Sequence, residues 1–110
     1  MIFDKNGNTT IITQEKASIP ELVKNLRDKH NSFSNDNVII NLTSLGALNN
    51  NDISEFLQLA KLHKESNKSF VIVSNKIDIN SVSDEIAVVP TLQEASDFID
   101  MEEMERDLGI

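Results

Sequence analysis

The chain has 110 residues, 39% of them hydrophobic, no cysteine, and a formal net charge of −8. That length suffices for one core and is too short for two, so residues 1–110 are expected to form a single domain. Disulfides and thiolate metal sites are excluded, and no apolar run approaches the roughly 20 residues that cross a bilayer, so membrane insertion is not expected.

Ile2-Phe3-Asp4 and Thr10-Ile11-Ile12-Thr13 flank the polar stretch Lys5-Asn6-Gly7-Asn8. Asn-Gly suits a tight turn that needs positive φ, which predicts an opening β-hairpin. Ser18 and Glu21 are spaced as a capping box, with Pro20 early in the first turn. Ile19, Leu22, Val23 and Leu26 follow at helical spacing and predict a helix to about His30. Val38-Ile39-Ile40-Asn41-Leu42 is an apolar run of the kind found in strands buried on both faces. After Gly46 come Asn49, Asn50 and Asn51, and asparagine caps helices well. Ile53, Phe56, Leu57 and Ala60, broadened by Leu59 and Leu62, predict a second helix ending near Ser66 and Asn67.

Phe70-Val71-Ile72-Val73 predicts a second buried strand, and residues 75–85 leave room for a short helix around Val82. Ile86-Ala87-Val88-Val89 predicts a third inner strand, stopped by Pro90. Thr91 and Glu94 repeat the capping-box spacing and open a helix through Ala95, Phe98 and Ile99. Met101, Met104 and Leu108 extend an apolar stripe to the C-terminus. It is expected to pack on the domain, with self-association or partner docking as the alternative.

Helices alternating with strands after a hairpin imply an α/β fold. An N-terminal β-hairpin would lead into a mostly parallel sheet of about four to five strands with right-handed crossovers. In so short a chain the economical layout puts the helices largely on one face.

This order of elements, together with the segment Ile86-Ala87-Val88-Val89-Pro90-Thr91-Leu92-Gln93-Glu94-Ala95, resembles the STAS family (sulfate transporter and anti-sigma-factor antagonist domains). The likeness in element order covers nearly the whole chain, while the matching segment is close but short. In that family the strand corresponding to residues 38–42 leads into Asp-Leu-Ser, a few apolar residues, and Asp-Ser-Ser-Gly-Leu at the next helix. A serine there is phosphorylated, and the loop docks a partner, typically an anti-sigma factor with kinase activity. Here Asn41-Leu42-Thr43 stands for Asp-Leu-Ser. Without gaps, Asn49 takes the second Asp, Asn50 and Asn51 the serines, Asp52 the glycine and Ile53 the leucine.

Asparagine has no hydroxyl, so Asn50 and Asn51 cannot take the phosphoryl group that would add roughly 1.5–2 negative charges at a helix start. The resemblance thus implies a partner-binding loop of Thr43, Ser44, Asn49, Asn50, Asn51, Asp52 and Ser54 without the family's switch. On the plain reading, Asn49, Asn50 and Asn51 close a turn and cap a helix. The hydroxyls of Thr43, Ser44 and Ser54 remain open to phosphorylation.

His30 and His63 fall near the ends of the first and second predicted helices, where imidazolium complements the helix dipole. No further ligand is spaced to join them around a metal. Lys24, Arg27, Lys29, Lys61, Lys64 and Lys68 make the same helix ends basic. With only Gly7, Gly46 and Gly109 no glycine-rich phosphate loop can be built, and there is no Gly-x-Ser-x-Gly elbow. No cofactor is implied, and an enzyme is not expected.

The charge is uneven: residues 1–76 carry a net +1 and residues 77–110 a net −9. An acidic surface repels phosphate backbones, so nucleic acid is not an expected partner. It is either a solvated face or a docking face for a basic partner. The first residues lack the basic stretch and apolar run of a signal peptide, which points to the cytoplasm. The expected function is a non-enzymatic protein-interaction module, with a partner such as an anti-sigma factor or kinase-like regulator. The alternatives are a small-ligand or nucleotide sensor at the same sheet edge, where ligands often bind, and a structural homodimer.

Overall fold

Strand β1 (Ile2–Asn6) turns directly into β2 (Thr9–Thr13), with Asn6 paired to Thr9. The computed structural model describes residues 2–15, 18–46, 48–77, 82 and 85–109. Pairing runs one step further into the turn than the Asn-Gly signal suggests, and Gly7 and Asn8 form the two-residue loop. Gly7 has φ of 62°, a conformation that favours glycine at the first central position of a tight hairpin turn.

Helix α1 (Ile19–Asp28) is followed by a 3-10 turn (His30–Ser32) and strand β3 (Asn37–Asn41). The Ser18–Glu21 spacing does not form a capping box: the Ser18 side chain makes no cap bond. Pro20, at the second helical position, has no N–H to cap and fixes its own φ, and the Ser18 carbonyl accepts from the Leu22 N–H at 3.0 Å, so the helix opens without the side-chain cap. The predicted second helix is two, α2 (Asn50–Ser54) and α3 (Leu57–Glu65). Between them the Phe56 N–H donates to the Ile53 carbonyl at 3.0 Å, a tightened turn. The break lets Ile53 and Phe56 both enter the core, where each is almost fully buried. Asn67 ends α3 with φ of 60°, which asparagine tolerates better than most residues.

Strands β4 (Phe70–Val73) and β5 (Ala87–Val89) and helix α4 (Leu92–Asp107) complete the chain. Val82 is half-buried against the core, and the short helix expected around it falls mostly outside the described residues. The sheet order is β1-β2-β3-β4-β5. β2–β3, β3–β4 and β4–β5 are parallel, whereas β1–β2 is antiparallel. The N-terminal hairpin is as expected, but the five-stranded sheet that includes it is mixed, which corrects the expectation of a mostly parallel one. A two-residue turn is far too short for the crossover a parallel pair requires.

This order explains the layering. Each parallel strand is added on the same side of the last, and right-handed crossovers then all fall on one face of the sheet. Leu22, Leu26, Phe56 and Leu59 from α1, α2–α3 and their junction pack there against Ile12, Val38, Ile40 and Ile72, joined by Ile77 and Val82 of the last crossover. The helices are not confined to that face. α4 lies across the opposite one, where Ala95 and Ile99 cover Ile39, Val71 and Val73. A strand run that is apolar on both sides must be covered on both sides, and this outweighs the one-face economy.

The expected packing of Met101, Met104 and Leu108 is corrected. They are 51%, 64% and 68% exposed. At about 100° per residue, Met104 lies half a turn round the helix from the buried Ala95. The inward positions beyond Ile99 belong instead to Glu102, Glu103 and Arg106.

No helix of the described residues is long and apolar enough to cross a membrane.

Candidate functional site

The loop over residues 43–54 leaves β3 at the carboxyl edge of the sheet, where α/β folds present ligands and partners. Its first turn is organised by Asn41, the last residue of β3. The Asn41 Oδ1 accepts from the Thr43 N–H at 3.1 Å and from its Oγ1 hydroxyl at 2.8 Å. An amide oxygen thus does what an aspartate would do at this position, and no carboxylate is required. Lys76, just beyond β4, reaches across with Nζ to the Leu45 carbonyl at 2.7 Å and the Thr43 carbonyl at 3.4 Å. Leu45 is buried beneath the loop.

The far end of the loop is fixed by a reciprocal cap. The Asn49 side chain accepts from the Asp52 N–H at 2.9 Å, and the Asp52 carboxylate accepts from the Asn49 N–H at 3.0 Å. This is the capping box that the Ser18 spacing promised and did not form. The spacing of Asn49 and Asp52 in the sequence could have revealed it.

Ser44, Asn49, Asn51 and Ser54 are exposed, while Thr43 and Asp52 are half-buried. The backbone of Asn50 opens α2, and its side chain lies outside the described residues. Asn51 and Ser54 come together at a shallow depression with Arg27, Glu55, Leu57 and Gln58. Thr43 and Ser44 are not part of its lining. The predicted residues therefore form two neighbouring patches, one at the β3 exit and one on α2.

The two histidines, read from sequence as separate helix-end residues, are in contact. Both are buried, with His30 Nε2 3.2 Å from His63 Nδ1. His63 Nε2 lies 2.6 Å from the Asp36 carbonyl. A carbonyl only accepts, so His63 Nε2 carries a hydrogen, and neutral His63 accepts the His30 Nε2–H at Nδ1. Burial pushes the His63 pKa below its ordinary value. The hydrogen bond to the Asp36 carbonyl opposes that shift and the neighbouring His30 adds to it, while the Asp36 carboxylate opposes it and Lys68 adds to it, both more weakly. Phe33 and Phe70 rings border the pair.

Asp36 links this cluster to the hairpin. Its carboxylate accepts from the Thr10 hydroxyl at 2.9 Å and meets Lys5 Nζ at 3.3 Å. Beside it, the Asn37 Oδ1 accepts from the Ser69 N–H at 2.9 Å, and the Asn37 amide donates to Glu103 at 3.0 Å. Arg106 reaches Ser69 and Asn37 at 3.3 and 3.4 Å. Nothing in the periodicity of the sequence signals either set. Among the described residues no group of three or more histidine, aspartate or glutamate side chains could hold a metal ion.

No protein-family model matches the chain, and no curated protein matches it in sequence.

Proposed function

We propose that this chain is a non-enzymatic, STAS-like interaction module that binds a partner protein through the loop over residues 43–54. The observation that carries the reading is the loop's preorganisation. Asn41, Lys76 and the Asn49/Asp52 cap hold the loop's two ends, while Ser44, Asn49, Asn51 and Ser54 face solvent. A loop whose ends are fixed before contact loses less conformational freedom on binding, so fewer contacts suffice for a given affinity. The hairpin, the strand run of β3 and the Thr91-capped helix support the family likeness.

In this reading the partner is a cytoplasmic regulator, such as an anti-sigma factor or a kinase-like protein. Binding is not switched at Asn50 or Asn51, which offer no hydroxyl, so regulation lies in the partner or at Thr43, Ser44 or Ser54. The test compares the wild type with Asn51→Lys/Ser54→Lys in affinity capture from the native cell extract. Both positions are exposed and outside the cap, so the variant should fold normally. A specific partner held by the wild type and lost by the variant is the expected result. Equal capture by both proteins would overturn the loop assignment.

A further inference from the structure

We infer that the outward side of α4 is a second docking surface, built for a cationic amphipathic helix of a partner protein. It lies on the face of the sheet opposite α2 and is separate from the loop over residues 43–54.

The helix is apolar on two sides. Ala95 and Ile99 point into the sheet, and the polar side chains of Glu103 and Arg106 fix the same side further along, at Asn37 and Ser69. Inner packing therefore accounts for the whole inward stripe and leaves Met101, Met104 and Leu108 outside it, each more than half exposed. Their spacing of three and then four residues is that of a helix seam, the pattern one helix offers another. Where this stripe begins, Val89, Phe98 and Met101 line an open depression of about 310 Å³ together with Glu94 and Asp97. That volume accepts one large apolar anchor. Methionine, flexible and polarisable, adapts to such an anchor better than a branched side chain.

Charge selects the occupant. Glu94, Asp97, Asp100, Glu105 and Asp107 are exposed on α4. The helix has a single base, Arg106, whose guanidinium is turned to Ser69 and Asn37. A second copy docked symmetrically would bring these carboxylates against their equivalents, which costs free energy. A helix with leucines at the matching spacing and Lys or Arg on both flanks meets apolar with apolar and acid with base.

The probe is a synthetic peptide of about 18 residues, long enough to form a helix on binding, with leucines at the matching spacing and lysine and arginine flanks. A scrambled peptide of the same composition serves as control. Fluorescence anisotropy should show binding that weakens at least tenfold in Met104→Ser/Leu108→Ser and at least tenfold for the scrambled peptide, and that declines with added salt. Both substitutions are exposed, so the thermal midpoint should not move. The loop variant Asn51→Lys/Ser54→Lys should bind the peptide as the wild type does, which separates this surface from the one proposed above. The proposal falls if the ordered peptide fails to bind, if the scrambled peptide binds equally, or if the α4 variant binds unchanged. It also falls if the loop variant loses the peptide. Sedimentation revealing a dimer that Met104→Ser/Leu108→Ser dissolves would assign the face to a second copy instead.

Discussion

The two edges of the sheet treat polar residues in opposite ways. At the amino edge, Asp36, Asn37, His30, His63 and Ser69 are buried and bonded to one another or to α4 and the hairpin. At the carboxyl edge, Ser44, Asn49, Asn51 and Ser54 are exposed, and the bonds beneath them shape the backbone of the loop. Polar residues at one edge join distant elements, whereas those at the other stay available. Buried polar groups are costly to orphan, so the amino edge should be sensitive to mutation in stability and the carboxyl edge in binding.

The largest expected effect is at the amino edge. His63→Ala removes a fully buried ring, leaves a cavity beside Phe70, and orphans the Asp36 carbonyl. It should lower unfolding free energy by about 3 kcal/mol or more, read by urea denaturation. A loss under about 1 kcal/mol would show that the contact between the histidines does not hold this edge together.

A smaller effect of the same cluster is its pH dependence. Because folding lowers the His63 pKa below the ordinary 6.5, the unfolded chain takes up the proton first as pH falls. Stability is therefore full above about 6.5 and declines as pH drops through 6.5 towards the lowered folded value. A protonated His63 carries hydrogens on both ring nitrogens, so it no longer accepts from His30 at Nδ1. Denaturant midpoints measured from pH 7.5 down to about 5.5 should fall, and His63→Gln should flatten that slope.

The smallest expected change in stability belongs to the carboxyl edge. Asp52→Ala breaks half of the reciprocal cap and should cost about 1 kcal/mol. If the loop binds by preorganisation, partner affinity should fall with it, measured by titration of the captured partner. A full loss of fold in this variant would mean that the two edges do not differ as described.

Much of the framework is readable in the residues alone. The apolar runs at Val38 and Phe70 locate β3 and β4 because a strand buried on both faces has little choice of side chain. Gly7 marks the hairpin because few other residues accept its φ. The histidine contact was not readable, since it joins residues 33 apart that only the packing of α3 beside the amino edge brings together. α4 shows a different limit. The apolar pattern reads Met101, Met104 and Leu108 as a continuation of the inward stripe, whereas they face outward, because the surface the sheet offers decides which side of the helix is covered. At the loop, the exposed asparagines and the cap were legible as residue types, whereas the clamp by Lys76 depends on β3 and β4 lying side by side.

Strand order has a consequence for how the molecule is made. Because β1 to β5 stand in the sheet in the order they are translated, each strand leaving the ribosome meets an edge already formed by its predecessor. Such near-neighbour pairing keeps loop closure short and assembly rapid. Helix α4 reaches further back, laying Ala95 and Ile99 over Ile39 and Val71 and carrying Glu103 to Asn8 and Asn37. Until it docks, the face that carries Ile39, Val71 and Val73 stands open to water. Docking of α4 is thus the step that closes this face of the sheet to aggregation.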